Sequence, residues 1–169
     1  MRKASILSTG YQTRILMNSE QEENHIERVQ SINESDVRSV DAAAAIIVYG
    51  GKVLAARRFT GKRYDGWWEF PGGKVESEET FEQCCVREIQ EELNLEIKID
   101  RHFYTVDFTY PNFHLHMECY LCSPLSSIDN IQLSEHDDYR WLGLDDLYEV
   151  KWLPAAFDVL KKLEFEPIW

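Results

Sequence analysis

Between Ser77 and Asn94 the chain carries two chemically opposed stripes, and this stretch does most to limit what it can fold into. At about 100° per residue, Phe81, Cys85, Val86, Ile89 and Leu93 fall on one mostly apolar arc of a helix. Glu88, Glu91 and Glu92 fall on the adjoining arc. Such a helix buries one side against a sheet and turns three carboxylates into whatever lies beside it. Ser77 is placed to cap it, with Glu78 and Glu79 in the first turn, where the helix dipole favours anions. Like charges three and four residues apart weaken a helix, so the acidic arc needs a reason. One is a solvated acidic face with Arg87 as partial relief. The other is a site for a hard cation, since magnesium prefers carboxylate oxygens, water and substrate phosphates. Spacing alone leaves both open.

The flanking sequence supplies sheet material. VDAAAAIIVY, from Val40, reads as a buried strand, Gly50-Gly51 as a hairpin turn and KVLAARR as the returning strand. GKRYDGWWEFPGGK reads as loop, short strand and loop. HFYTVDFTYP and NFHLHMECYLC form a second hairpin turning near Pro111-Asn112. YRWLGL is a further strand, and PAAFDVLKKLEF a closing helix with Pro154 at its start. Strands outnumber helices and the order is mixed, which predicts an α+β fold, an α/β/α sandwich with a mixed β-sheet between helices. Residues 39–169 are expected to form one domain. Residues 1–38 are polar and acidic and read as a flexible or weakly helical extension, with Ile26, Val29, Ile32 and Val37 as a faint stripe. Met17 is an alternative start.

The net charge of −12 argues against nonspecific binding to a nucleic acid backbone, which needs a basic surface. It still allows a polyphosphate, provided bound cations invert the local field. No apolar run reaches membrane-spanning length, and MRKASILSTG lacks the apolar core of a secretory signal, so the expected compartment is the cytoplasm. Cys119 and Cys122 have CxxC spacing, but they lie in a strand, where residues three apart face opposite ways. With Cys84 and Cys85 they read as reduced, packed thiols.

The loop before the helix favours the cation. Phe70-Pro71-Gly72-Gly73 runs directly into it, and glycines there let the backbone approach a ligand and expose a carbonyl or amide. At this point residues 73–95, GKVESEETFEQCCVREIQEELNL, resemble the Nudix hydrolase family. Its box reads G-x5-E-x7-R-E-U-x-E-E-x-G-U, with U a bulky aliphatic, and Gly73, Glu79, Arg87, Glu88, Ile89, Glu91, Glu92 and Leu95 all fit. Asn94 replaces the last glycine, at a position where a left-handed helix cap tolerates asparagine. The likeness extends over roughly Val40 to Leu163, and W-x-F-P-G-G-K-x-E with the preceding ARR is similar to the MutT and CTP pyrophosphohydrolase branch.

That resemblance implies hydrolysis of a (deoxy)nucleoside triphosphate to a monophosphate and pyrophosphate with Mg2+ or Mn2+. It implies Glu88, Glu91, Glu92 and the Gly72 carbonyl as metal ligands, and an Arg87–Glu79 pair that orients Glu88. Glu135, in the loop before the last strand, is implied as ligand or general base, with Asp137 and Asp138 as competitors. Arg58, Phe70, Trp68, Gly73 and Ala156 are implied to contact the nucleotide, with Tyr64 and Trp67 as further candidates to stack on a base. Ala156 stands where relatives that cleanse oxidised guanine carry asparagine, which leaves CTP or dCTP in front. His114 and His116 share a strand face, as a metal pair or as packing. The alternatives are another nucleoside diphosphate derivative such as ADP-ribose or a dinucleoside polyphosphate, a non-catalytic ligand-sensing domain, and an isoprenoid diphosphate isomerase. The implied partner is a nucleotide, with no nucleic acid polymer and no membrane, and the chain is a monomer or homodimer.

Overall fold

The computed structural model describes residues 38–59, 61, 64–166 and 168. The N-terminal extension, its faint apolar stripe and Met17 lie outside the described residues.

Strand β1 (Arg38–Tyr49) is apolar along most of its length because it is buried on both faces. Ala44 and Ile46 point into one core, with Trp152, Leu160 and Leu163. Ala43, Ala45 and Ile47 point into another, with Cys85, Ile89 and Leu93. Each core is closed by a helix, α1 (Phe81–Leu93) on one face and α2 (Phe157–Phe165) on the other. The α+β sandwich expected from the element order is therefore present. Among the described residues, no helix is long and apolar enough to cross a membrane.

The other strands are β2 (Lys52–Arg58), β3 (Trp68–Glu69), β4 (Gly72–Lys74), β5 (Ile97–Tyr110), β6 (Phe113–Pro124) and β7 (His136–Leu142). The sheet runs β3-β2-β1-β6-β5, with β4 on β1 and β7 on β2. β1 and β6 are parallel, while β1–β2 and β5–β6 are antiparallel hairpins. One edge of β1 is shared. Its end pairs β2 at Val48 and Tyr49, and its middle pairs β4 at Ala42–Ala44. That split seats the Gly72-Gly73 turn in the middle of the sheet, under α1.

Three boundaries differ from the sequence reading. Helix α1 starts at Phe81, not after Ser77. Its cap is Thr80, whose Oγ1 accepts from Gln83 N at 3.2 Å while Gln83 Oε1 accepts from Thr80 N at 2.8 Å. This reciprocal pair satisfies two otherwise orphaned amides, which Ser77 alone does not. Glu78 and Glu79 thus precede the helix. Strand β7 begins three residues early, at His136. The closing helix begins as a 3-10 turn over Pro154–Ala156. Asn94 ends α1 in the left-handed region, φ 51°, as its place in the sequence predicts. All four cysteines are free and buried, and Cys119 and Cys122 sit in opposite cores.

Candidate active site

Helix α1 carries its carboxylates at three depths. Glu92 is 6% exposed, and among the described residues its one hydrogen-bond donor is Gly72 N, 3.1 Å from Oε2. Burial, reinforced by Glu88, Glu69 and Glu135, pushes its carboxyl up to about 8, with the Gly72 amide pulling the other way. Glu88 is also raised by burial, against the opposing pull of Arg87. Glu91 is the outermost, its side chain 60% exposed.

Arg87 ties this group to the preceding loop. Its Nε and Nη2 donate to the two oxygens of Glu79 at 2.8 and 2.9 Å, in a fork-to-fork pair. Nη1 donates to Glu88 at 2.9 Å and to Glu91 at 3.2 Å, and Nη2 also reaches the Lys74 carbonyl at 3.1 Å. The guanidinium holds Glu79 down at about 2. Glu79 lies outside the helix, yet it meets Arg87 because the Thr80 cap turns the chain back on itself.

The glycines answer to the same crowding. Gly72 has φ 154°, and a β-carbon there would sit 2.1 Å from the Ala43 carbonyl oxygen. A β-carbon on Gly73 would sit 2.2 Å from the Glu88 carboxyl carbon. The space that glycine leaves at 73 is the space Glu88 occupies.

The loop before β7 is fastened to the end of α1. Ser134 Oγ donates to Glu91 O at 2.8 Å, Ser134 N to Glu92 O at 3.0 Å and Gln132 N to Leu93 O at 2.9 Å. Glu135 thereby joins Glu88, Glu92 and Glu76 on the wall of one open cleft. Asp137 and Asp138 face the other way, towards Arg57, at 2.6 and 3.8 Å.

Among the described residues, no three acidic, histidine or cysteine side chains are gathered in a ligating arrangement. The donor set nevertheless suits a hard dication. Glu92 is a buried carboxylate with no cation beside it among the described residues, and it needs nearby positive charge to be ionised near neutral pH.

A second, more apolar chamber of about 300 Å³ adjoins this cleft. Phe70, Tyr64, Tyr110, Phe113, Ala155 and Ala156 are among its walls. Tyr110 and Phe113 stack with ring centres 4.8 Å apart. Arg58, Glu69, Gly72 and Gly73 border both spaces.

Among the residues singled out in the sequence, Glu88, Glu92, Glu135, Gly72, Gly73, Arg58, Phe70 and Ala156 border one or both spaces. Arg87 and Glu79 stand behind Glu88, and Glu91 stands outside. Trp68 borders neither: it is 5% exposed, with the Arg140 and Arg57 guanidinium carbons 5.0 and 5.8 Å from its ring centre. Trp67 lies under Lys151 Nζ, 3.9 Å from the ring centre. His114 and His116 flank Asp107, at 3.5 and 2.8 Å.

Two residues escaped the sequence reading. Glu69 accepts from Arg58 Nη1 through both oxygens at 2.8 Å, and the buried His136 places Nε2 3.0 Å from its Oε1. The only signal for Glu69 was a lone charge in the aromatic run WWEF, and for His136 its place directly after Glu135.

The sequence profile of the NUDIX domain matches residues 39–163. A CTP pyrophosphohydrolase of Escherichia coli (strain K12) is 28% identical over 125 residues, 74% of this chain and 91% of the relative. An 8-oxo-dGTP diphosphatase of the same organism is 33% identical over 113 residues, 67% of this chain and 86% of the relative. The crystal structure of a MutT NUDIX hydrolase from Burkholderia pseudomallei superposes with a TM-score of 0.67 at 27% identity, covering 75% of this chain and 98% of that one.

Proposed function

The chain belongs to the NUDIX family of hydrolases, and on that premise we propose that it cleaves (deoxy)nucleoside triphosphates to a monophosphate and pyrophosphate with a divalent metal. The shared wall carries this reading. An apolar, aromatic chamber fit for a base opens directly onto a carboxylate cleft fit for metal-bound phosphates.

In this reading Glu88, Glu91, Glu92 and the Gly72 carbonyl would hold Mg2+ or Mn2+. The bound ion supplies charge neutralisation for the phosphates and a more acidic water. Arg87, itself gripped by Glu79, fixes the Glu88 carboxylate, and Glu135 is a further ligand or the base that takes a proton from the attacking water. Arg58 reaches the junction of the two chambers and meets the sugar–phosphate end of the nucleotide. Phe70 and Tyr64 flank the base. Ala155 and Ala156 offer the base no side-chain amide, which supports a pyrimidine such as CTP or dCTP over oxidised guanine. The substrate is a free nucleotide, in keeping with the charge of −12.

The test is product analysis at millimolar magnesium with CTP, dCTP, 8-oxo-dGTP and ADP-ribose. Monophosphate and pyrophosphate from a triphosphate are expected, with the cytosine nucleotides fastest. Turnover of ADP-ribose alone would move the chain to diphosphate derivatives, and no turnover of any triphosphate overturns the proposal.

A further inference from the structure

Glu69, at the junction of the two chambers, and His136, on the carboxylate cleft, are polar groups with no role so far. The β2–β7 pairing explains how they meet. Its register slips between Arg57, opposite Asp138, and Arg58, opposite His136. A bulge of this kind re-aims side chains, and here it sets His136 opposite Arg58, beside Glu69. His136 is 3% exposed, and its Nδ1 has no partner among the described residues. Glu69 is therefore the one polar anchor of the ring. A carboxylate only accepts, so Nε2 carries the proton and donates.

Glu69 is thus clamped from two sides. Oε1 takes Arg58 Nη1 and His136 Nε2, while among the described residues Oε2 takes only Arg58 Nη1. A carboxylate has about four acceptor positions, so Oε2 retains capacity for one more donor. Its side chain is 21% exposed and lines both chambers, so that capacity lies on their common wall. In a nucleoside triphosphate with its base in the apolar chamber and its phosphates at the carboxylates, the part that crosses the junction is the sugar. The donors a sugar presents are hydroxyls.

We propose that Glu69 reads the sugar of the substrate by accepting a hydrogen bond from a sugar hydroxyl, and that His136 is the positioning residue that keeps Glu69 turned towards it. This inference rests on the nucleoside triphosphate reading. It adds a determinant for the sugar, separate from the base and from the metal-binding glutamates.

The test compares a ribonucleoside triphosphate, its 2′-deoxy form and its 2′,3′-dideoxy form on the full-length chain. The wild type is expected to show a KM about tenfold higher for the dideoxy form than for the best hydroxyl-bearing form, with kcat changed far less. In Glu69→Leu that ratio collapses towards one. In His136→Leu it falls between the two, and His136→Gln, which retains a donor, restores it. Melting curves of each variant confirm that it is folded. Equal KM values across the three sugars in the wild type overturn the inference, as does an undiminished ratio in Glu69→Leu. An undiminished ratio in His136→Leu removes His136 from it. If the wild type hydrolyses no triphosphate, the underlying reading fails and this inference with it, an outcome distinct from hydrolysis that is blind to the sugar.

Discussion

Two regions of this molecule concentrate acidic side chains, and they treat them in opposite ways. On the outer part of the β5–β6 sheet, carboxylates alternate with imidazoles. Asp107 lies between His114 and His116, and Glu118 between His116 and His102. Each carboxylate there has imidazole neighbours, and the side chains range from 20% exposed at Glu118 to 58% at Asp107. In the cleft beside α1, Glu88, Glu92, Glu135 and Glu69 share one space, with Arg58 and Lys74 on its wall and Arg87 pairing Glu88 from behind. The first region is content by itself, while the second is built at a cost that only an added cation relieves.

The sharpest way to break that contrast is at Glu92. In Glu92→Gln, turnover is expected to fall by about a thousandfold, while the metal-free protein melts higher than the wild type because a buried, repelled carboxylate is gone. Steady-state kinetics and calorimetry on one preparation check both signs, and a variant that lost activity by unfolding would melt lower. Magnesium supplies the next effect. At about a hundred times its Kd it should stabilise the wild type by about 2.7 kcal/mol, and clearly less in Glu92→Gln, as read by melting with and without chelator. Arg87→Ala comes third. Glu79, Glu88 and Glu91 lose their shared cation at once, and kcat should drop about ten- to a hundredfold even with metal saturating.

The smallest effect belongs to the paired region. Asp107 raises the His116 imidazole above its usual 6.5, and His116 holds Asp107 below its usual 3.8. A raised imidazole stabilises the fold below its unfolded value and loses that contribution as pH rises through its folded value. A depressed carboxyl does so above its unfolded value and loses it as pH falls. The pair therefore helps most between about pH 4 and 6.5. Because it is exposed, His116→Ala should shift Tm by no more than about 2 °C in that window, with no change in kcat/KM. A large loss of activity would show that the two regions are coupled.

Much of the candidate site was legible because it is local. The stripes of α1 repeat at helical spacing, so the sequence already separates Ile89 and Leu93 from Glu88 and Glu92. The depth of each glutamate was not legible, since it depends on how closely β4 and the Gln132–Glu135 loop pack. Glu91 and Glu92 read alike as letters, yet one is open to water and the other is buried. The helix start was misread because Ser77 and Thr80 are equally good caps in isolation, and only the Gln83 partner distinguishes them. The meeting of Glu69 and His136 is a contact across 67 positions, set by a one-residue slip between β2 and β7, and no periodic signal carries that. Trp68 was offered to the substrate because it is aromatic, but its strand turns it under two arginines instead.

Strand β1 gives Ala44 to one core and Ala43 and Ala45 to the core beneath α1, while Ala42, Ala43 and Ala44 all border the apolar chamber. Neighbouring positions on one strand thus answer to different masters. A larger residue at 44 presses on the core beside the chamber, one at 45 presses on α1, and one at 43 disturbs both.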